Sequence, residues 1–199
     1  MAKRNGNRSG GRNSGRGNSR LRIIGGEWRS RQIPFPDVDG LRPTTDRVRE
    51  TLFNWIQHSL PGARCLDLFS GSGALGFEAL SRGAGKVVMI ENDSKASFQL
   101  KENAKTLNAQ NAEIYHGDAM QYLAQDNEPF DLIFLDPPFG KGFLQDCINQ
   151  IVENNLLKAD GEIYIESEQS LDDLEIPANW QPHREKQAGQ VIYRLYHAE

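Results

Sequence analysis

Asp136-Pro137-Pro138-Phe139 directly follows the apolar run Leu132-Ile133-Phe134-Leu135, and it is the segment of this sequence best equipped for chemistry. Two consecutive prolines fix the backbone and remove two N–H donors, so the Asp136 carboxylate and the Pro137 carbonyl are both free to accept from one planar amino group. A nucleobase N–H2 fits that demand. Holding both protons draws the nitrogen lone pair out of conjugation with the ring and aims it at an electrophile. Phe139 adds a face on which a base can stack.

A second chemical segment is Asp67-Leu68-Phe69-Ser70-Gly71-Ser72-Gly73-Ala74-Leu75-Gly76. Glycines at 71, 73 and 76 permit positive φ and close approach of a ligand, and a helix N-terminus offers unpaired N–H groups. Glu91, 15 residues beyond Gly76, ends the next apolar run, where a carboxylate can take both hydroxyls of a ribose. Asp67 separates the possible ligands. It would repel a pyrophosphate, and it suits the ammonium of a nucleoside that carries an amino acid, as S-adenosylmethionine does. Asp118, after His116-Gly117, is then placed to meet the adenine amine.

The elements that must position these residues follow from periodicity. Short apolar runs predict strands over Arg64 to Phe69, Lys86 to Glu91, Ala112 to His116, Asp131 to Leu135 and Gly161 to Glu166; helical spacing predicts helices over Ala74 to Ser81, Ser94 to Leu107, Ala119 to Gln125 and Phe143 to Asn154. That alternation implies an α/β fold, a Rossmann-like, mostly parallel sheet with helices on both faces. His183 to Gln187 and Val191 to His197, around Ala188-Gly189-Gln190, predict an antiparallel hairpin appended to it. Ahead of the α/β part, Leu21 to Trp28 and Arg29 to Ile33 read as two short strands about a glycine-containing turn. A Pro/Asp/Gly loop then leads to a helix that Thr44, Thr45 or Asp46 caps, with Val48, Leu52, Trp55 and Ile56 on one face. The expected organisation is a disordered basic arm over 1–20, a hairpin and helix over 21–60, and a catalytic domain over 61–199.

With 199 residues, 38% of them hydrophobic, the chain suffices for one well-cored domain. Its net charge of -4 is polarised: Met1 to Arg49 hold twelve Lys/Arg against four Asp/Glu, a balance of +8 that leaves -12 for the remainder. A basic front on an acidic body suits a polyanionic partner. Residues 1–20 carry six positive charges and no aliphatic side chain beyond Met1 and Ala2, which cannot offset the entropy of ordering, so a mobile arm that gathers phosphate is expected. Cys65 and Cys147 stand alone, and His58, His116, His183 and His197 lack ligand spacing, so neither disulfide nor metal is expected. No apolar run is long enough for a membrane span, and the N-terminus has no secretory pattern; a soluble cytoplasmic protein is expected. Without a sustained heptad or an apolar surface strip, it should be a monomer.

The glycine turn followed by Asp-Pro-Pro-Phe resembles the class I S-adenosylmethionine-dependent methyltransferases that modify exocyclic amines of nucleic acids. The wider string is similar to the RsmD family, bacterial 16S rRNA guanine-N2 methyltransferases: Ile23-Ile24-Gly25-Gly26, Gly40 through Trp55, Asp67 through Gly83, and the ending His183-Arg184-Glu185-Lys186 with Ala188-Gly189-Gln190-Val191. The resemblance covers residues 21 to 197 and omits the arm. It implies a seven-stranded class I methyltransferase fold and methylation of a guanosine N2 amine in small-subunit rRNA, on an assembled or partly assembled particle, with ribosomal proteins near the target. By the same resemblance Asp67, Gly71 and Gly73 would hold the methionine end of the cofactor, Glu91 the ribose, Asp118 the adenine, and Asp136, Pro137, Pro138 and Phe139 the base. Arg22, Arg29 and Arg31 of the hairpin, with Arg42, Arg47 and Arg49, are expected to grip rRNA phosphates. Three other readings stay open. A DNA adenine-N6 methyltransferase uses the same Asp-Pro-Pro-Phe logic, a nicotinamide-dependent dehydrogenase shares the glycine turn and Glu91, and a non-catalytic RNA-binding assembly factor would use only the basic face.

Overall fold

The computed structural model describes residues 19–38, 44–138, 142–167 and 173–199; the arm up to residue 18, Arg42 and Phe139 lie outside them. Nine strands and five helices follow in the described residues: β1 (Ser19–Arg22), β2 (Gln32–Phe35), α1 (Asp46–Trp55), β3 (Arg64–Asp67), α2 (Ala74–Ser81), β4 (Lys86–Glu91), α3 (Ser94–Leu107), β5 (Ala112–His116), α4 (Ala119–Leu123), β6 (Phe130–Leu135), α5 (Phe143–Glu153), β7 (Leu157–Ser167), β8 (Trp180–Ala188) and β9 (Val191–Ala198). Strands β3 to β9 form one sheet in the order β5-β4-β3-β6-β7-β9-β8. Its first five members are parallel, while β9 runs antiparallel to both β7 and β8. This is the seven-stranded class I methyltransferase arrangement.

The strand order reverses between β3 and β6, so the loops after these two strands diverge and leave a crevice at their carboxyl ends. Asp67 is the last residue of β3, and Asp136 is the first residue after β6. The chemistry-bearing residues thus sit where an open parallel sheet is expected to place them.

The described strands and helices of the α/β part match the periodicity closely, apart from β7 and β8, the latter beginning three residues early at Trp180, and the β1–β2 hairpin also departs from expectation. β7 begins four residues before the expected strand. Its register against β6 jumps from Phe130–Leu157 to Leu132–Glu162, and Asp160 takes φ 61° within the interruption. The bulge hides Leu157 from an alternation count. β2 runs through Pro34 to Phe35, because Pro34 lies opposite Arg20 in a two-stranded sheet where its missing donor costs little. Likewise β1 starts at Ser19, two residues inside the segment expected to be disordered.

The β1–β2 hairpin packs on the α/β part. Leu21, Ile23, Trp28, Ile33 and Phe35 share one buried cluster with α1, α2 and the sheet residues Cys65 and Phe134. All eight residues of α2 are buried, which follows from its position between sheet and hairpin and from its apolar circumference. The hairpin turn is bonded to this helix: Glu27 N–H donates to the Ser81 carbonyl at 2.7 Å, Trp28 N–H to Ser81 Oγ at 2.9 Å, and Ser81 Oγ to the Gly25 carbonyl at 2.6 Å. Gly26 takes φ +74°, and a Cβ there would lie 1.7 Å from the Ser81 carbonyl oxygen, so only glycine lets the turn sit this close.

Beneath the turn lies a buried ion cluster. Glu78 accepts from Ile24 N–H and Gly25 N–H, both at 2.8 Å, from Arg82 Nε at 2.7 Å and from Arg49 Nη1 at 3.4 Å. Arg49, fully buried, also donates to the Arg22 carbonyl at 2.9 Å and to Asp46 at 2.6 Å. This corrects the expectation that Arg49 contacts phosphate. Its guanidinium is used inside the protein, where it compensates a buried carboxylate.

Candidate functional site

The crevice between the ends of β3 and β6 opens into a cavity of about 960 Å³, ample for a nucleoside with a second base beside it. Its walls come from the glycine turn, the ends of β4, β6 and β7, the segments after β5 and before α1, and the β8–β9 turn. Asp67, Glu91, Asp118, Asp136, Pro137 and Pro138 all line it, as does Gly71. The expected cofactor and base residues of the described chain therefore line one space, with the exception of Gly73.

Asp67 is buried at the end of β3. Its Oδ2 accepts from Gly76 N–H at 3.0 Å, yet burial dominates and raises its pKa from 3.8 to about 7, with the charge of Glu91 adding to the effect. Glu91, half-buried, is held by Gly71 N–H on one oxygen and Asp93 N–H on the other, at 2.8 and 2.7 Å; burial still pushes its pKa up. Each oxygen keeps a lone pair for a ligand hydroxyl. Asp118 caps α4 by accepting from Gln121 N–H at 3.0 Å. Asp93 caps α3 through Lys95 and Ala96 N–H, both at 2.9 Å, and also lines the cavity, which spacing alone did not reveal.

The three glycines divide their work differently from the expectation. Gly71 and Gly73 take positive φ, 51° and 78°. A Cβ on Gly73 would press on Phe77 and Leu100, and one on Gly76, inside α2, would press on Met89 at 2.5 Å. The second and third glycines thus answer to the packing of helix on sheet, and Gly76 also serves Asp67 through its N–H.

What selects the ligand is the charge of the walls. Asp37, Asp67, Glu91, Asp93, Asp118, Asp136 and Glu166 line the cavity, and no Lys, Arg or His does so among the described residues. A pyrophosphate would face these carboxylates with no described side-chain cation to offset them, which disfavours the nicotinamide dinucleotide reading; a nucleoside bearing sulfonium and ammonium groups fits. The donor set therefore agrees with S-adenosylmethionine.

Asp136 follows β6, the neighbour of the strand that ends in Asp67. Thr44 Oγ1 donates to Asp136 Oδ2 at 3.2 Å, so a residue that the sequence offered as a possible helix cap reaches the site. Its carboxyl is held well above the ordinary carboxylate range, first by burial and then by the charge of Glu166. Thr45 caps α1, its Oγ1 accepting from Val48 N–H at 3.4 Å, so the helix start fixes Thr44 beside the site. Glu166, at the end of β7, is a site residue that sequence reasoning missed; the one available signal was its place at a strand's carboxyl end.

Of the expected phosphate-binding residues that are described, none lines the cavity. Arg29, Arg31 and Arg47 are exposed, and Arg31 donates to the Thr106 carbonyl at 2.9 Å. Arg22 is exposed but paired with Asp46 at 2.8 Å. Among the described residues, no helix is long and apolar enough to cross a membrane.

A profile of the family described as "Conserved hypothetical protein 95" matches residues 21–197. Over 183 residues the chain is 52% identical to ribosomal RNA small subunit methyltransferase D of Escherichia coli, covering 92% of each chain. Against the protein of the same name from Haemophilus influenzae it is 47% identical over 180 residues, covering 88% of this chain and 93% of that one. The solved structure of yhhF from Escherichia coli superposes with a TM-score of 0.85 at 52% identity, over 91% of this chain and 99% of that one. With an acid-walled cavity at the strand switch, a proline-stiffened aspartate beside it and these relatives, the chain belongs to the family described as "Conserved hypothetical protein 95", the RsmD methyltransferases.

Proposed function

We propose that this enzyme methylates the N2 amine of one guanosine in small-subunit rRNA, within an assembled or partly assembled particle. The observation that carries this reading is Asp136-Pro137-Pro138 on the wall of a cavity whose charged lining is entirely acidic among the described residues. S-adenosylmethionine, when bound, supplies a methyl group on a sulfonium centre. Asp67 and Gly71 would hold its amino-acid end, with Gly73 shaping the turn behind them, Glu91 its ribose and Asp118 its adenine. The relatives named for small-subunit rRNA supply the substrate class.

The chain's own residues prepare the amine. The Asp136 carboxylate and the Pro137 carbonyl each accept one N–H of the target, which turns the lone pair out of the ring system. Donors arriving at Asp136 relieve its desolvation and favour the ionised form, so base binding itself readies the acceptor. When the amine becomes cationic, its excess proton can pass to Asp136 Oδ. Phe139 stacks on the base, and Arg22, Arg29, Arg31, Arg42 and Arg47 meet backbone phosphates, with residues 21–60 serving as the RNA-binding extension of the 61–199 domain.

The ionisation of Asp67 sets a pH dependence. An ammonium needs the carboxylate, and a pKa of about 7 in the free protein means that below it binding must expel a proton. Donor affinity should therefore fall up to about tenfold per pH unit below 7 and level off above it. Fold stability moves the opposite way: the raised pKa favours the folded state at low pH, and that contribution is lost as pH rises from 3.8 through about 7. Calorimetric titration with S-adenosylhomocysteine between pH 5.5 and 8.5 checks the affinity; a flat profile contradicts the assignment of Asp67.

The function itself is tested by nucleoside mass spectrometry of small-subunit rRNA from a strain lacking the gene, before and after incubation with protein and donor, using both free rRNA and assembled subunits. N2-methylguanosine should appear on the particle. Its absence, or N6-methyladenosine in DNA instead, would sink the reading.

A further inference from the structure

Glu166 is a carboxylate whose surroundings the fold leaves largely unexplained. It is 5% exposed, yet it lines the cavity. Among the described residues one donor reaches it, the Tyr164 hydroxyl, at 2.8 Å on Oε2. Tyr164 is fully buried between the rings of Phe134 and Tyr193, with centroids 6.5 and 6.2 Å away, so that hydroxyl fixes the carboxylate from below. A buried carboxylate offers about four acceptor positions, and one hydroxyl fills one of them. The remaining capacity faces a ligand space.

Register locates Glu166 relative to the amine pocket. Leu135 of β6 is paired with Ile165 of β7, so the next residues outward on these parallel strands are Asp136 and Glu166. Neighbouring strands lie about 4.8 Å apart. The charge of Glu166 is one cause of the upward shift at Asp136, which places the two carboxyls within electrostatic reach. Two acceptors are thus presented side by side.

Guanine presents a matching pair of donors, N2–H2 and the adjacent N1–H. Adenine offers its amine beside N1 as an acceptor, which a neighbouring carboxylate would repel. Resting on the function proposed above, we propose that Glu166 accepts the N1–H of the target guanine, is oriented for this by Tyr164, and so selects guanine over adenine.

The test uses the assembled particle with 2-aminopurine at the position where mass spectrometry finds N2-methylguanosine. This base keeps the amine on C2 and carries N1 as an acceptor. A site built to bond an N–H rejects an analogue lacking it strongly, so wild-type kcat/KM should favour guanine at least a hundredfold. Glu166→Gln can turn its amide N–H2 toward the acceptor N1, and the preference should shrink at least tenfold, with S-adenosylhomocysteine affinity and Tm nearly unchanged. A merely structural role would lower both substrates equally. A wild-type preference below tenfold, or a Glu166→Gln ratio within threefold of wild type, overturns the assignment. Should the variant not fold, the wild-type comparison decides alone. If guanine itself is never methylated on N2, the function proposal has failed; methylation without discrimination sinks the role of Glu166 alone.

Discussion

Asp136→Ala should lower methylation by about 10²- to 10³-fold, in kcat and kcat/KM alike, while S-adenosylhomocysteine binds within about threefold of wild type. The one described hydrogen bond of Asp136 comes from Thr44, so its removal touches none of the bonds that shape Asp67 or Glu91. What is lost is one of two acceptors for the amine, and with it both the localised lone pair and its aim. Asp136→Asn, which keeps a carbonyl acceptor and adds a donor that clashes with the amine, should recover little. The check is single-turnover methyl transfer beside calorimetric binding. An alanine variant with more than about a tenth of wild-type turnover would contradict the role, and a variant that loses ligand affinity in step with turnover would place Asp136 on the donor side instead.

Glu78→Ala should cost about 3–5 kcal/mol of stability, the usual toll when one partner of a buried ion pair is removed. Two backbone N–H groups, at Ile24 and Gly25, lose their acceptor, and Arg49, with no solvent exposure, loses its buried counter-charge; Asp46, half exposed, compensates only in part. For a domain of this size the drop corresponds to roughly 6–20 °C in Tm. Denaturant unfolding should show a lower midpoint with an unchanged slope. Pairing the change with Arg49→Met removes the stranded charge, so the double variant should be more stable than Glu78→Ala alone. A single variant within 1 kcal/mol of wild type would mean the cluster contributes little.

How legible the molecule was in its sequence depended on whether a residue's role was local. α2, β4, α3 and β5 fall within the expected boundaries because their apolar periodicity is strong and their caps, such as Asp93 for α3, lie beside them. That Asp67, Glu91 and Asp136 share one cavity was legible for a related reason: the first two end strands, the third directly follows one, and parallel strand ends converge. Arg49 misled because its partner Glu78 lies 29 residues away. Helical spacing carried a clue, since position 49 shares a face with Leu52 and Phe53, both fully buried. The face itself was drawn one step off, through Trp55 where Phe53 is the buried ring, because an amphipathic wheel cannot say which neighbour the helix meets. Glu166 escaped for want of a motif; only the pairing of β6 with β7 reveals it as the neighbour of Asp136.

α2 begins at the cavity, with its cap at Gly73, and ends at Ser81, under the Gly25–Trp28 turn. Eight residues of helix span about 12 Å. Because every one of them is buried and both ends are anchored, this span behaves as a caliper of fixed opening. On the RNA-binding role proposed for the hairpin, a strand of nucleic acid resting there would be measured against it, and a base at the matching reach from the contacted backbone would be the one to arrive at the floor of the crevice.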